Sequence, residues 1–303
     1  MSTTSASVTS ARVKTRFLII SDTHSASPSD NGANNDVSFR PPLPKADVLL
    51  HCGDLTMIGH LHEYETTLNM LESIDAGLKL VIAGNHDITL DEEYYVRKGP
   101  HMHRSGYDRD LPAKARNMWT GERAKRVGVT YLDEGTHQFT LQNGANLRVY
   151  ASPYQPEFCD FAFPYFRNQD RFNPPHQCTP YTVPIADNPV PDFPNIDVMM
   201  THGPPMGVLD ETDRGWGAQR VHWNDSDELD VKIEEHIKAA EAMHVDHEMA
   251  KEGRAATVDI SQGSNTAVEF GKQTLMVNAS IMTVRYKPWN APWLIDLDLE
   301  AAK

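Results

Sequence analysis

Apolar positions come in short unbroken blocks. Arg16–Ile20 (RFLII), Asp47–His51 (DVLLH) and Leu80–Ala83 (LVIA) are each bounded by polar residues or glycine. Blocks of this length without alternation read as strands buried on both faces, as in a parallel sheet covered by helices. Between the second and third, Leu61, Tyr64, Leu68 and Leu71 recur at helical spacing over His60–Ile74 and predict a crossover helix. Tyr94–Gly121 predicts further helices, one opened by Pro112. Val129–Leu132, Gln138–Leu141 and Leu147–Tyr150 read as strands, the last two joined by a turn at Asn143-Gly144. Ile196–Met200 (IDVMM) is another, and the tail adds Thr274–Ser280, Met282–Tyr286 and Trp293–Leu299. Ser25–Pro44 and Phe158–Asn195, dense in Pro and Asn, predict surface loops. The pattern predicts an α/β fold in which two mixed sheets pack face to face with helices outside. It forms one domain over residues 15–303, after a disordered leader at 1–14.

The chemistry sits at the strand ends. Asp22 and His24 come directly after the first strand, Asp54 after the second, Asn85, His86 and Asp87 after the third, and His202 just after Met200. Ligand groups in open α/β sheets gather beyond the carboxyl ends of strands. Carboxylate, amide and imidazole donors without a thiolate cluster suit hard to borderline divalent metals, two of which can share a hydrolytic site. Asp54 is the natural bridge, because its two oxygens can hold two cations roughly 3.5–4 Å apart. Asp22 and His24, two apart, can share one metal. Asn85 and His202 would hold the other. His51, at the end of an apolar block, reads as a hydrogen-bonded core imidazole.

Asp22-x-His24, Gly53-Asp54, Gly84-Asn85-His86-Asp87, Thr201-His202-Gly203-Pro204-Pro205 and Val277-Asn278-Ala279-Ser280 together resemble the calcineurin-like metallophosphoesterases, in particular their small metallophosphodiesterase branch. The resemblance covers about residues 14 to 300. It implies a four-layer α-β-β-α sandwich and two divalent cations of the Mn, Fe, Zn or Mg kind. The implied reaction is hydrolysis of a small phosphoester, such as a cyclic nucleotide, by a hydroxide held between the metals. It implies the same ligand assignments and makes His86 the proton donor to the leaving alkoxide. Asp87, the second catalytic candidate, either orients a neighbour or caps the next helix.

One motif of the family is out of place. Gly59-His60-Leu61-His62 has the Gly-His-x-His form that completes both metal shells in the family, yet it directly follows the Gly-Asp loop and no apolar block leads into it. After His202 the expected position holds a polar insertion, about 218–260, whose Leu229, Ile233, Ile237, Ala240 and Met243 fall at helical spacing. His244 and His247 read as part of its solvated face. Asp210–Arg214 followed by Gly215-Trp216-Gly217 looks like a junction at which a helix and an inner strand are lacking, roughly 25 residues at average element lengths. Such a chain loses one imidazole from each shell. The competing expectation is therefore a degenerate, weakly active or inactive relative that binds a nucleotide or one metal and acts as a regulator.

Composition narrows the partners. A net charge of -14 disfavours a long nucleic acid but not a small phosphoester, since bound cations would dominate the pocket. Three cysteines without metal-type spacing fit a reducing compartment, the cytoplasm, and no block approaches the roughly 20 apolar residues of a membrane span.

Overall fold

The computed structural model describes residues 11–28, 37–203, 216–224 and 237–303. Residues 1–10 of the expected leader, residues 29–36 of the Ser25–Pro44 loop, Pro204 and Pro205, the Asp210–Gly215 flank, and Leu229 and Ile233 lie outside them.

Strands β1 (Arg12–Ile20), β2 (Ala46–His51), β3 (Ala76–Val81) and β4 (Val129–Tyr131) run parallel in that order. Successive side chains point to opposite faces, so Phe17, Val48, Leu50 and Leu80 enter one core while Leu18, Ile20, Leu49 and Val81 enter another. Both faces are covered, which is why these blocks do not alternate with polar residues. The outer core is closed by Tyr64, Leu68 and Leu71 of α1 (Leu61–Glu72). Beyond α2 (Glu92–Met102) come α3 (Leu111–Thr120), with Pro112 in its first turn, and α4 (Glu122–Val127). Ala115, Trp119 and Ala124 of these last two helices join the same outer core.

The inner core is capped by a second layer. Strands β5 (Gly135–Thr140) and β6 (Ala145–Ser152) form the predicted hairpin, where the Ala145 N–H donates to the Asn143 side chain at 3.0 Å and Gly144 takes a φ of +85°. Strand β7 (Val198–Thr201) joins β6 in parallel. Then come β8 (Trp216–Trp223), β9 (Ile237–Ala242), α5 (His247–Gly253), β10 (Ala256–Asp259), β11 (Gln273–Ala279) and β12 (Trp293–Ala301). The last strand pairs antiparallel with β1, and its end, Glu300 and Ala301, pairs with β6. The nine-stranded sheet, ordered β7-β6-β12-β1-β2-β3-β4 with β10 beside β12 and β5 beside β6, therefore curls over itself. The expected α/β class holds, and its two layers are halves of one mixed sheet. Leu147, Val149, Met200 and Trp293 fill the space facing Phe17 and Leu50. Among the described residues no helix is long and apolar enough to cross a membrane.

Four local expectations are corrected. Strand β1 starts at Arg12, inside the expected leader, because Arg12, Val13 and Lys14 pair with Glu300, Leu299 and Asp298 of β12. The described part of the insertion, residues 218–224 and 237–260, is mainly extended: β9-β8-β11 form a three-stranded sheet, and cross-strand pairing of Ala240 with Val221 overrides the helical spacing of Ile237 and Ala240. Among the described residues there, His247–Gly253 is helical. Strand β10 is hidden in the sequence because it is short and, besides Val258, holds Ala256 and Asp259, which give a weak β signal. Finally, Met282–Tyr286 is no strand but a loop with one isolated bridge, Met282 to Pro288, and a φ of +53° at Tyr286.

Candidate metal centre

β1, β2, β3 and β7 all end at one edge of the sheet, and each is followed within a few residues by the predicted ligands. Backbone hydrogen bonds knit these ends together: Asp22 N donates to the Gly53 carbonyl at 2.9 Å and His24 N to that of Asp54 at 3.0 Å. Asp22, His24 and Asp54 have φ values of +52°, +43° and +52°. A non-glycine residue in this region costs on the order of 1–3 kcal/mol, so three together mark a place where function overrides local preference. The two motif glycines are required by close approach. A Cβ on Gly53 would meet His202 Nδ1 at 2.6 Å, and one on Gly84 would meet the Asp54 backbone nitrogen at 2.2 Å and Oδ1 at 2.3 Å.

Asp54 is 3% exposed and sits at the centre. Its Oδ2 lies 3.6 Å from His24 Nε2, and its Oδ1 lies 3.4 Å from His202 Nε2 while accepting the His86 backbone N–H at 2.9 Å. Two ligand groups result, His24 with Asp54 and His86, and Asp22 with Asp54 and His202; within each, one ligand atom per residue lies within 4.8 Å of the others. Asn85 Oδ1 joins the second group at 2.8 Å from His202 Nε2. Asp54 is common to both groups; the geometry brings Asp22 together with His202, and His24 together with His86, where the spacing along the chain pairs Asp22 with His24.

The electrostatics call for a cation. Burial and the neighbouring Asp54 charge raise the Asp22 pKa. Burial lowers the His24 pKa in spite of Asp54. For His202 burial again opposes the proton, but the Asp54 and Asp22 carboxylates outweigh it and raise the pKa. A ring drawn to a proton between two carboxylates is equally placed to give its lone pair to a metal ion. Its other nitrogen is committed, Nδ1 donating to the Cys52 carbonyl at 3.0 Å. Carboxylate and imidazole groups, an amide and a glycine-lined cradle fit divalent metals of the hard to borderline type.

Asp87 lies beneath the pocket and touches none of it. Fully buried, its carboxylate accepts from Leu55 N and Thr56 N at 3.0 Å each, from Gly84 N at 2.8 Å and from Thr56 Oγ1 at 2.7 Å. Burial and the Asp54 charge push its pKa up to about 7. It ties the two ligand loops together, a positioning role. Glu63 extends this scaffold by accepting from Met57 N, Ile58 N and His60 N at 3.2, 3.3 and 2.8 Å, a residue that spacing alone does not single out. His51 is the expected core imidazole, with Nε2 2.8 Å from Thr23 Oγ1 and a pKa lowered to about 3 by burial. His60 opens α1 with its ring stacked on those of His103 and His62, outside both ligand groups. Among the described residues His244 and His247 also take no part in either.

A cavity of about 350 Å³ opens over the ligands, walled by Asp22, His24, Asp54 and His86 on one side and by Ser280, Met282, Thr283, Val284 and Tyr286 on the other. The second wall escapes sequence reasoning, because Met282–Tyr286 has the composition of a strand. Its signal is the preceding Asn278-Ala279-Ser280: Ile281 N donates to the Ser21 carbonyl at 2.9 Å, which brings the loop to the ligands. The Tyr286 ring centroid lies 5.1 Å from that of His24. From the Phe158–Asn195 excursion, Phe163 is buried against Tyr94 and Tyr95, while Phe161 stacks on His86 at 4.5 Å.

Comparison with known proteins agrees with this geometry. A family model described as Calcineurin-like phosphoesterase matches residues 15–238. The human Metallophosphoesterase domain-containing protein 1 is 28% identical over 285 residues, 93% of this chain and 71% of that protein. A Probable rhamnogalacturonate lyase C of Emericella nidulans is 30% identical over 195 residues, 64% of this chain but 14% of that protein. A UPF0046 protein of Caenorhabditis elegans is 26% identical over 207 residues, 66% of this chain and 44% of that protein.

Proposed function

Since the chain belongs to the calcineurin-like phosphoesterase family, we propose that it is a metal-dependent hydrolase of small phosphoesters, phosphodiesters such as cyclic nucleotides foremost. The observation that carries this reading is the position of Asp54, common to both ligand groups with one oxygen towards each of two imidazoles. Two divalent cations of the Mn, Fe, Zn or Mg kind would supply Lewis acidity and a nucleophile from water near neutral pH. His24, Asp54 and His86 would hold or face one, and Asp22, Asp54, Asn85 and His202 the other. Gly53 and Gly84 let these groups approach, and Asp87 and Glu63 hold the loops that carry them. The cavity of about 350 Å³ has room for a small diester at the open edge. Three unpaired cysteines fit the cytoplasm as the place of action.

A second reading is favoured by one feature of the sequence, the absence of Gly-His-x-His anywhere but at Gly59–His62. On that reading the chain is a degenerate relative that binds a metal or a nucleotide and regulates. Metal analysis of the purified chain after Mn loading, with hydrolysis of bis-p-nitrophenyl phosphate in the same samples, decides between them. Two Mn per chain with turnover is expected. One or none without turnover would place the chain with the second reading.

A further inference from the structure

The second wall of the cavity is a hairpin-like loop tied at its base to the ligand-bearing edge of the sheet. Ile281 N donates to the Ser21 carbonyl at 2.9 Å, next to Asp22. Asn290 clamps the two arms, its N donating to the Ile281 carbonyl at 3.1 Å and its Nδ2 to those of Ser280 and Met282 at 2.9 and 3.1 Å. The tip is closed by Tyr286 N donating to the Thr283 carbonyl at 2.8 Å and Thr283 N to that of Lys287 at 2.9 Å. Within this tip Tyr286 takes a φ of +53°. A bulky aromatic residue is a rare occupant of that region, where glycine would be free of strain. Such strain persists only where the surroundings impose it, and it gathers at ligand-binding places.

The strained backbone sets the place of the ring. Tyr286 is 52% exposed although it lines the cavity, and its ring centroid lies 5.1 Å from that of His24 and 6.3 Å from that of His86. Both contacts are inclined, at 58° and 65°, so among the described residues no ring is stacked flat on it. Phe161, in contrast, is occupied by His86, stacked at 4.5 Å with planes 29° apart. The floor beneath is fixed, with His24 Nδ1 3.0 Å from the Thr56 carbonyl and His86 Nδ1 2.7 Å from that of Met57. Val284, 78% exposed, adds apolar surface to the same wall. Aromatic rings attract one another in offset or edge-to-face arrangements at centroid separations of roughly 4.5–7 Å, so an ester substituent in this cavity lies within reach of Tyr286.

Resting on the metal-dependent reading of the site, we infer that Tyr286 determines substrate specificity: its open face receives a planar aromatic group carried by the phosphoester, so that aryl or nucleobase esters are preferred to alkyl esters. The ring acts by contact with that substituent and takes no part in bond breaking.

The test is calorimetric binding of phenylphosphonate and methylphosphonate to the Mn-loaded full chain. The two probes share a head group and neither has an ester to hydrolyse, so the ratio of their dissociation constants reads the substituent. Phenylphosphonate is expected to bind at least about threefold more tightly, as for an aromatic pair, and this preference should vanish in Tyr286→Ala and Tyr286→Gly. It should persist in Tyr286→Phe and in Trp289→Ala, an exposed residue of the same loop that does not line the cavity. Glycine suits the +53° backbone, so the urea midpoint of Tyr286→Gly should be no lower than that of Tyr286→Ala, which separates lost recognition from lost folding. A phosphonate analogue of adenosine monophosphate, compared with its baseless ribose counterpart, tells the two kinds of ring apart: a Tyr286-dependent gain there assigns the subsite to a nucleobase, and a gain confined to phenylphosphonate assigns it to an aryl ester. No gain from either aromatic probe in wild type, or a preference that survives Tyr286→Ala, would overturn the inference and leave the phosphoesterase reading standing. A wild-type chain that binds neither Mn nor any of the probes would overturn both.

Discussion

His202 Nε2 lies 3.4 Å from Oδ1 of Asp54, and the other oxygen of the same carboxylate faces His24 at 3.6 Å. One side chain thus addresses two imidazoles on separate loops. Asp54→Asn keeps the shape but removes the charge and replaces one oxygen by an amide nitrogen, which cannot coordinate a cation. Mn-dependent hydrolysis of bis-p-nitrophenyl phosphate is expected to fall by more than about 100-fold, beyond the losses seen when only outer-shell support is removed. Turnover persisting in this variant would rule out a shared carboxylate.

Gly84→Ala tests the same centre from the backbone. The added Cβ would lie 2.2 Å from Asp54 N and 2.3 Å from its Oδ1, the latter held by the His86 backbone N–H. Overpacking of this kind costs about 1–3 kcal/mol, and relief requires Asp54 to move. Urea unfolding should show that loss together with weakened Mn binding. Gly106→Ala, where a Cβ meets nothing within 4 Å, is the control and should leave Mn binding unchanged.

Asp87→Ala removes the acceptor of three backbone N–H groups and one hydroxyl in a fully buried place. A buried donor left without a partner costs about 1–3 kcal/mol, so a loss of at least about 3 kcal/mol in urea unfolding is expected. Residual activity per folded molecule should drop too, since the loop carrying the Thr56 and Met57 carbonyls loosens. Unchanged stability would mean that these donors find other acceptors.

The ligand-bearing half of the sheet is legible in the sequence because β1, β2 and β3 are buried on both faces, and nothing but apolar residues suits such positions. Asp22, Asp54 and Asn85 then stand out as polar residues directly at the strand ends. The partition of the ligands is not legible. Which imidazole faces which oxygen of Asp54 depends on carbonyls of Thr56, Met57 and Cys52, contacts that spacing along the chain does not encode. The β10 strand escapes because Ala256 and Asp259 carry little β preference, and the Met282–Tyr286 wall passes for a strand because its composition suits one.

The cysteines offer a check on the burial of the site. Burial, helped by the nearby Asp22 charge, pushes the Cys52 thiol up to about 12, so almost no thiolate forms at neutral pH. Cys159 is exposed. With Ellman's reagent at pH 8, Cys159 should react rapidly and Cys52 only after urea unfolding. Rapid modification of Cys52 in the native chain would mean that the Gly53-Asp54 loop opens readily.

His51 predicts an acid limb of stability. Its ring is fully buried, Nε2 is paired with Thr23 Oγ1, Nδ1 has no partner, and burial lowers its pKa to about 3. An unfolded chain takes up a proton on this ring near pH 6.5, whereas the folded chain resists until about 3. Between those values the unfolded state holds more protons, so stability rises with pH and is lost as pH falls through the window. One such group contributes up to about 1.4 kcal/mol per pH unit. Urea midpoints of the metal-free chain measured from pH 6.5 down to pH 4 should fall more steeply for wild type than for His51→Gln, which removes the titration. Parallel curves would mean that the imidazole gains its proton within the folded protein, a result that requires an acceptor for Nδ1 close to the Gly53-Asp54 loop.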